Sequence, residues 1–287
     1  MKLATLKDGS RDGQLVVVSR DGTTAHFASA IAGRLQQVLD DWNFLSPQLE
    51  DLYQTLNQGK ARHAFAFDAR ACMAPLPRAF QWAEAVPGDP VARLRQGAGD
   101  DLLGPCDDAR FAGEAGAIAC GAGLAVVTGD LPMSATAAAA LEGVRLLLLA
   151  ASWRQGPAGP GGVDPHTPWP AAAFGPLAVT PDELGDAWRG GRVHGRLDGR
   201  LNGQGVAAAD AAAGMPAHFG QLIAGLARVR RVRAGSIVGS GPLATIGGGE
   251  PGAPGLRRGD HGGIELAGSD GHSVFGATAQ VVAPAAG

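Results

Sequence analysis

The chain has 287 residues, with 24 Lys and Arg against 27 Asp and Glu and a net charge of −3 at pH 7, so it offers no electrostatic case for nucleic acid or an anionic membrane. Its length allows one large domain or a small domain joined to a larger one. Three scattered cysteines, Cys72, Cys106 and Cys120, form neither a disulfide framework nor a CxxC metal pair, which suits a reducing compartment.

The N-terminal run MKLATLKDGSRDG lacks the apolar core of a signal peptide. The longest apolar segment, Val144–Ala151, is too short to span a bilayer, so the expected location is the cytoplasm. Glycine supplies 45 residues, roughly twice the ordinary frequency. It concentrates at 155–163, 195–205 and 247–263, and 155–163 and 247–257 are expected to be mobile.

In chain order, the first expected element is a strand at Leu15–Ser19, bounded by the turn signals Arg11-Asp12-Gly13 and Arg20-Asp21-Gly22. Leu35, Val38, Leu39 and Trp42 fall at helical spacing and predict a helix over Gly33–Trp42. A second helix is expected from Ser46-Pro47, with serine as N-cap and proline at the first helical position. It would carry Leu49, Leu52, Tyr53 and Leu56 on one face. Cys72–Pro77 reads as extended, because a residue before proline is pushed out of helical geometry. Prolines and glycines punctuate 86–106 and leave room at most for a short helix in Val91–Gln96. A strand at 124–128 and an alanine-rich helix over 135–143 follow. Arg145–Ala151 fits either the end of that helix or a buried strand. Thr180-Pro-Asp-Glu183 has the form of a capping box. Asn202-Gly203, within 192–206, is a favoured type I′ hairpin turn. Leu222, Ile223, Leu226 and Val229 mark one face of a helix over His218–Val229, and Ile237-Val238, Ile264–Leu266 and Val274–Val282 read as strands. This order gives a mixed, β-rich (α+β) fold class.

Little in the chain announces chemistry by spacing. No serine lies in the G-x-S-x-G frame of a hydrolase nucleophile. Gly239-Ser240-Gly241, after a strand, fits a backbone-amide nest for an anion or, more simply, a tight loop, and it lacks the lysine of a P-loop. Cys106-Asp107-Asp108 mixes soft and hard ligands and suits a solvated turn better than a metal cage. His166, His261 and His272 have Gly- or Pro-rich surroundings and read as surface residues. Arg228, Arg230, Arg231 and Arg233 crowd the end of the 218–229 helix, where the helix dipole favours cations. The stretch CGAGLAVVTGD, 120–130, is the anomaly. Gly121 and Gly123 point to one face of a strand and give it nothing to pack. Either another segment approaches the backbone there, or two side chains are missing.

Runs spread over nearly the whole chain resemble bacterial proteins of the fumarylacetoacetate hydrolase family. They are Met1–Ser10, Val38–Phe44, Met73–Arg78, Leu103–Asp108, Val179–Leu184, His218–Ile223 and, most specifically, Arg233-Ala-Gly-Ser-Ile-Val-Gly-Ser-Gly241. The resemblance implies a small N-terminal β/helix domain, 1–85, followed by a rolled β-sheet domain of the catalytic fold, 86–287, usually as a homodimer. It implies Mg²⁺ or Mn²⁺ held by carboxylates, with the metal polarising a β-dicarbonyl (acylpyruvate-type) acid for C–C cleavage, decarboxylation or isomerisation. Against the family pattern, the metal-ligand positions are occupied here by Gly121, Gly123 and Ser152. Trp169 and Pro90 stand at the lysine and histidine positions, and Pro242 replaces the threonine after the Gly239-Ser240-Gly241 pocket loop. Arg154 is the remnant of an arginine near the metal.

Glycine and a hydroxyl cannot offset the desolvation of a divalent ion as carboxylates do. The expectation is therefore a homologue without working chemistry and without a cofactor. One alternative is an active metal-dependent enzyme of 2-oxo acids, using Mg²⁺ or Mn²⁺ and ligands recruited from Glu114, Asp107 or Asp108. Another is a non-enzymatic dimer partner of an active paralogue. A 2-oxo acid is the expected small-molecule ligand, and neither nucleic acid nor membrane is an expected partner.

Overall fold

The structure is a computed structural model, and it describes residues 1–86, 92–111, 118–156, 172–248, 254–268 and 271–285. The chain opens with β1 (Lys2–Leu6), β2 (Gln14–Val18), β3 (Thr24–Phe27), α1 (Leu35–Asp40), α2 (Trp42–Asn57) and β4 (Phe65–Ala66). Then come β5 (Gln81–Ala85), β6 (Leu94–Gly97), β7 (Ala109–Phe111), β8 (Ile118–Thr128), α3 (Ala137–Glu142) and β9 (Val144–Gln155). Shorter strands follow: β10 (Ala172–Phe174), β11 (Ala178–Val179), β12 (Trp188–Arg189), β13 (Arg192–Val193), β14 (Arg196–Leu201) and β15 (Gln204–Asp210). The chain closes with α4 (Phe219–Ala227), β16 (Ser236–Gly239), β17 (Ala244–Ile246), β18 (His261–Ala267) and β19 (Gln280–Pro284).

Among the described residues a 12-stranded sheet runs β4-β3-β2-β1-β11-β9-β8-β16-β5-β6, with β10 added on β9 and β17 on β8. A 5-stranded sheet runs β15-β14-β18-β19-β7. The centre of the large sheet is the antiparallel pair β8–β9, in register from Ile118↔Gln155 to Val127↔Leu146. Every residue of β8 is buried. Both faces of this pair are therefore covered, which is why Leu146–Ala151 reads as one unbroken apolar run instead of alternating. Ala125, Val127, Leu146 and Leu148 face the core under α1 and α2, while Leu124, Val126, Leu147 and Leu149 face the second core, which contains α4.

The strand at 15–19, the alanine-rich helix, the Asn202-Gly203 hairpin and the 218–229 helix all fold as the sequence predicts, within a residue or two at their ends. Asn202 and Gly203 both take positive φ, 51° and 84°, as a type I′ turn requires. Other expectations are corrected. The 124–128 strand extends back to Ile118 and takes the glycines with it. Arg145–Ala151 is strand, inside β9. The short helix expected in Val91–Gln96 is instead β6, whose Leu94–Gly97 pairs antiparallel with Trp82–Ala85. Sheet pairing overrides a weak local helix signal there, and Val91 lies outside the described residues.

The second helix starts at Trp42, four residues before the expected Ser46 cap, and contains Pro47. Trp42 and Leu45 pack against the core, which favours winding the extra turn despite the lost N–H. Thr180 does not cap with its side chain. Its hydroxyl accepts from the Met1 amino group at 2.5 Å, and Pro181–Ala187 is a 3₁₀ segment. Of Val274–Val282, only the end from Gln280 onward is strand. Segment 157–171, most of the expected mobile loop at 155–163, and 249–253 of 247–257 lie outside the described residues, as do Pro90, Glu114, His166 and Trp169.

Candidate functional site

The pleat of β8 and β9 sets Gly121, Gly123, Ser152 and Arg154 on one face, since residues two apart share a side. Gly121 is directly opposite Ser152, and Gly123 is opposite Ala150. The structure thus brings together four positions that the sequence argument took from separate motifs.

What covers this face is the segment after β16. β16 pairs antiparallel with β8 up to Gly239↔Ala125, and β17 pairs with it again at Thr245↔Gly121. Between them, Ser240-Gly241-Pro242 lies along the strand. Ser240 is 2% exposed. Its hydroxyl accepts from the Leu124 N–H at 3.0 Å and donates to the Gly241 carbonyl at 2.7 Å. Its own N–H donates to the Leu124 carbonyl at 2.8 Å. The Gly239-Ser240-Gly241 loop is therefore a tight connection pinned to β8, with its serine committed to internal hydrogen bonds.

That loop answers the glycine question. A Cβ on Gly121 would stand 2.7 Å from Pro242 Cγ, and one on Gly123 would stand 2.5 Å from the Gly241 carbonyl oxygen. Both distances are well inside van der Waals contact. Pro242 and the Gly241 backbone occupy the volume into which side chains at 121 and 123 would project.

Beside these glycines sits a buried carboxylate that sequence reasoning missed. Glu84, on β5, is 5% exposed. Its register partners are Arg95 on β6 and Gly239 on β16. The Arg95 guanidinium pairs with Glu84 Oε1, and Ser152 Oγ donates to Glu84 Oε2 at 2.5 Å. Burial lowers the pKa of Arg95 first, Glu84 raises it, and the like charge of Arg154 lowers it again. Arg154 is half-buried, and its Nε is closed off from water with no hydrogen-bond partner. The available signal was alternation: Trp82 and Glu84 share one face of Gln81–Ala85. The partner strand at 94–97 was hidden in a segment read as a short helix.

Of the three carboxylates considered for recruitment, Glu114 lies outside the described residues, and Asp107 and Asp108 are engaged elsewhere. Asp107 Oδ1 pairs with Lys7 Nζ at 2.7 Å, and Oδ2 accepts from the Gly104 N–H at 2.7 Å. Asp108 pairs with Arg110 at 2.8 Å. Cys106, Asp107 and Asp108 line an open cleft of about 600 Å³ with Arg110, Phe111 and Trp153. Among the described residues no group of three or more His, Cys, Asp or Glu side chains could hold a metal ion. A hard divalent ion needs several converging oxygens. At 121, 123 and 152 there is one hydroxyl, already bonded to Glu84, and Glu84 is bonded on both oxygens. The described residues do not fit a Mg²⁺ or Mn²⁺ centre. No helix of the described residues is long and apolar enough to cross a membrane.

Residues 1–78 match the sequence model of the fumarylacetoacetase N-terminal domain 2, and residues 78–283 match that of the fumarylacetoacetate (FAA) hydrolase C-terminal domain. No curated protein matches the chain. Among solved structures, the fold is similar to maleylpyruvate hydrolase from Sphingobium sp. SYK-6, with TM-score 0.74 and 16% identity over 99% of this chain and 100% of that one. A second structure of that hydrolase, in complex with manganese(II) ion and pyruvate, gives TM-score 0.73 and 17% identity over 99% of each chain. A fumarylacetoacetate hydrolase from psychrophilic Exiguobacterium antarcticum gives TM-score 0.71 and 16% identity over 99% of each.

Proposed function

The chain belongs to the fumarylacetoacetate hydrolase family, and from that footing we propose that it is a member whose cleft no longer supports metal-dependent C–C chemistry on acylpyruvate-type acids. The observation that carries this reading is the filled space at Gly121 and Gly123. A lost ligand side chain by itself leaves a hole that water or a neighbouring carboxylate can fill. Here Pro242 and the Gly241 carbonyl lie against the strand, and a carboxylate would have to displace the Pro242 ring at position 121 or the Gly241 main chain at position 123. Ser152 and Glu84 satisfy one another, which removes the nearest oxygens from the set available to an ion. A divalent ion stripped of water in such a place would lose more solvation than the site returns.

The test is calorimetric titration of Mn²⁺ into metal-stripped, folded protein, alone and with oxalate as an enol-carboxylate mimic. The expected result is no saturable heat from Mn²⁺ and no turnover of acylpyruvates or oxaloacetate with Mn²⁺ or Mg²⁺ present. Saturable micromolar Mn²⁺ binding, or metal-dependent turnover, overturns the reading.

A further inference from the structure

The fold leaves the arginines beyond α4 without a structural role. The helix ends at Ala227, Arg228 is its C-cap residue, and its last turn carries no basic side chain. A helix dipole acts within the last turn, so it does not account for Arg230, Arg231 and Arg233. Arg228, Arg230, Arg231 and Arg233 are all exposed. Among the described residues, Asp130 is the one carboxylate paired with any of them. Its Oδ1 lies 3.5 Å from Arg233 Nε and also accepts from the Ala234 N–H at 3.0 Å. Arg230 Nε donates to the neighbouring Arg231 carbonyl at 3.4 Å. This concentration of positive charge stands on a chain whose net charge is −3.

Two apolar side chains stand among these charges. Val229 is 80% exposed and Met133 is 57% exposed. They share one stretch of surface, because segment 131–134 is tied to the arginine loop at both ends. Leu131 and Val232 exchange backbone hydrogen bonds at 2.9 and 3.1 Å, and the Ser134 N–H donates to the Ala227 carbonyl at 2.8 Å. Ser134 holds φ +64°, a left-handed conformation that is disfavoured for a residue with a Cβ. Leu131 and Val232 are buried and anchor this strap, while Met133 is turned to solvent.

We propose that the 228–233 loop and Met133 form a docking surface for an acidic polypeptide segment of a partner protein, one with an apolar side chain between its carboxylates. Charge complementarity selects this occupant. Guanidinium groups pair with carboxylates through two parallel hydrogen bonds, and a flexible methionine beside a valine adapts to an apolar side chain laid over them. A duplex nucleic acid is a long polyanion that would meet the rest of a net-acidic chain. A membrane surface asks for an open apolar helix face, whereas Leu222, Ile223 and Leu226 of α4 are buried.

The test is fluorescence anisotropy of a labelled glutamate-rich peptide containing leucines, titrated with the full-length protein at low and at physiological salt. The expected result is saturable binding, tighter than for the same peptide with serines replacing the leucines, and weaker as salt is raised. The double variant Arg228→Glu/Arg231→Glu should weaken binding about tenfold or more, and Val229→Ser should remove the preference for leucine over serine. Arg11→Glu/Arg62→Glu, which makes the same charge change at exposed arginines outside the patch, should leave affinity close to wild type. Thermal melts establish that each variant is folded. Absent binding, equal weakening by the two double variants, or equal affinity for the leucine and serine peptides overturns the proposal. Tighter binding of phosphatidylserine vesicles or duplex RNA than of the peptide, lost in Arg228→Glu/Arg231→Glu, overturns the acidic segment as occupant.

Discussion

At the scale of single residues, two kinds of glycine behave differently and can be told apart by substitution. Gly203 has φ +84° and nothing within 4 Å of a built Cβ, so alanine there meets only backbone strain, about 1 kcal/mol. Gly121 and Gly123 have ordinary strand geometry, but their Cβ positions are blocked at 2.7 Å by a proline ring and at 2.5 Å by a backbone oxygen. Alanine at either overpacks the site, with an expected loss of about 1–3 kcal/mol, larger at Gly123 because a main-chain carbonyl yields less than a ring. Urea midpoints measure this. Adding Pro242→Gly should recover stability in Gly121→Ala and not in Gly203→Ala, and equal recovery in both would refute the steric account. A second residue-scale prediction concerns thiols. Burial pushes both Cys72 and Cys120 up to about 12, from an ordinary 9.0. Folded-state pKa values above the unfolded ones mean that the unfolded chain releases protons first as pH rises. Stability should hold below pH 9 and fall between about 9 and 12. Denaturant midpoints measured from pH 8 to 10 should decline, with a shallower slope in Cys120→Ala, and Cys106, half-exposed, should react first with a thiol reagent.

At the scale of elements, the α3 cap gives a clean local test. Thr136 Oγ1 accepts from the Ala139 N–H at 3.2 Å, and the helix behind it is only six residues long. Thr136→Ala should cost about 1 kcal/mol, and Thr136→Ser should keep most of the stability. A neutral Thr136→Ala in chemical denaturation would mean that α3 is held by its packing on α4 alone. The contrast between α3 and Thr180 shows how far the sequence could be read. Where an element is local, as in the alanine-rich Ala137–Glu142 or Asn202-Gly203, helix propensity and turn chemistry were enough. Where a distant group competes, they were not: the Thr180 hydroxyl is claimed by an amino group 179 residues away. β6 was missed for the same reason, because its strand character comes from pairing with Trp82–Ala85. The glycines at 121 and 123 were legible as a question, with both answers stated. The reply needed the position of Pro242, more than a hundred residues on, which no periodicity encodes. The Glu84–Arg95–Ser152 cluster joins three strands, so no single stretch of sequence carried it.

At the scale of the molecule, the two family matches meet at residue 78, yet the packing crosses that point repeatedly. β1 pairs with β2 on one side and with β11 on the other, at Lys2↔Val179 and Leu3↔Ala178. The core under α1 and α2 joins Leu3, Leu15, Leu39 and Leu49 to Leu146, Leu148 and Phe174. Tyr53 donates to Glu183 at 2.7 Å, and Arg20 pairs with the same carboxylate at 3.0 Å. Separating the first 78 residues would expose the inner face of β1 and strip the cover from β9 and β11. Apolar area of that kind, at about 25 cal/mol per Å², ties the two halves into one cooperative unit. Calorimetric unfolding of the full chain should therefore show one transition, with fluorescence of the tryptophans at 42 and 153 melting at the same temperature. Glu183→Ala should lower that temperature for both probes together. A low-temperature transition seen by Trp42 alone would show that the N-terminal module unfolds first, and that the shared core contributes less than its continuity requires.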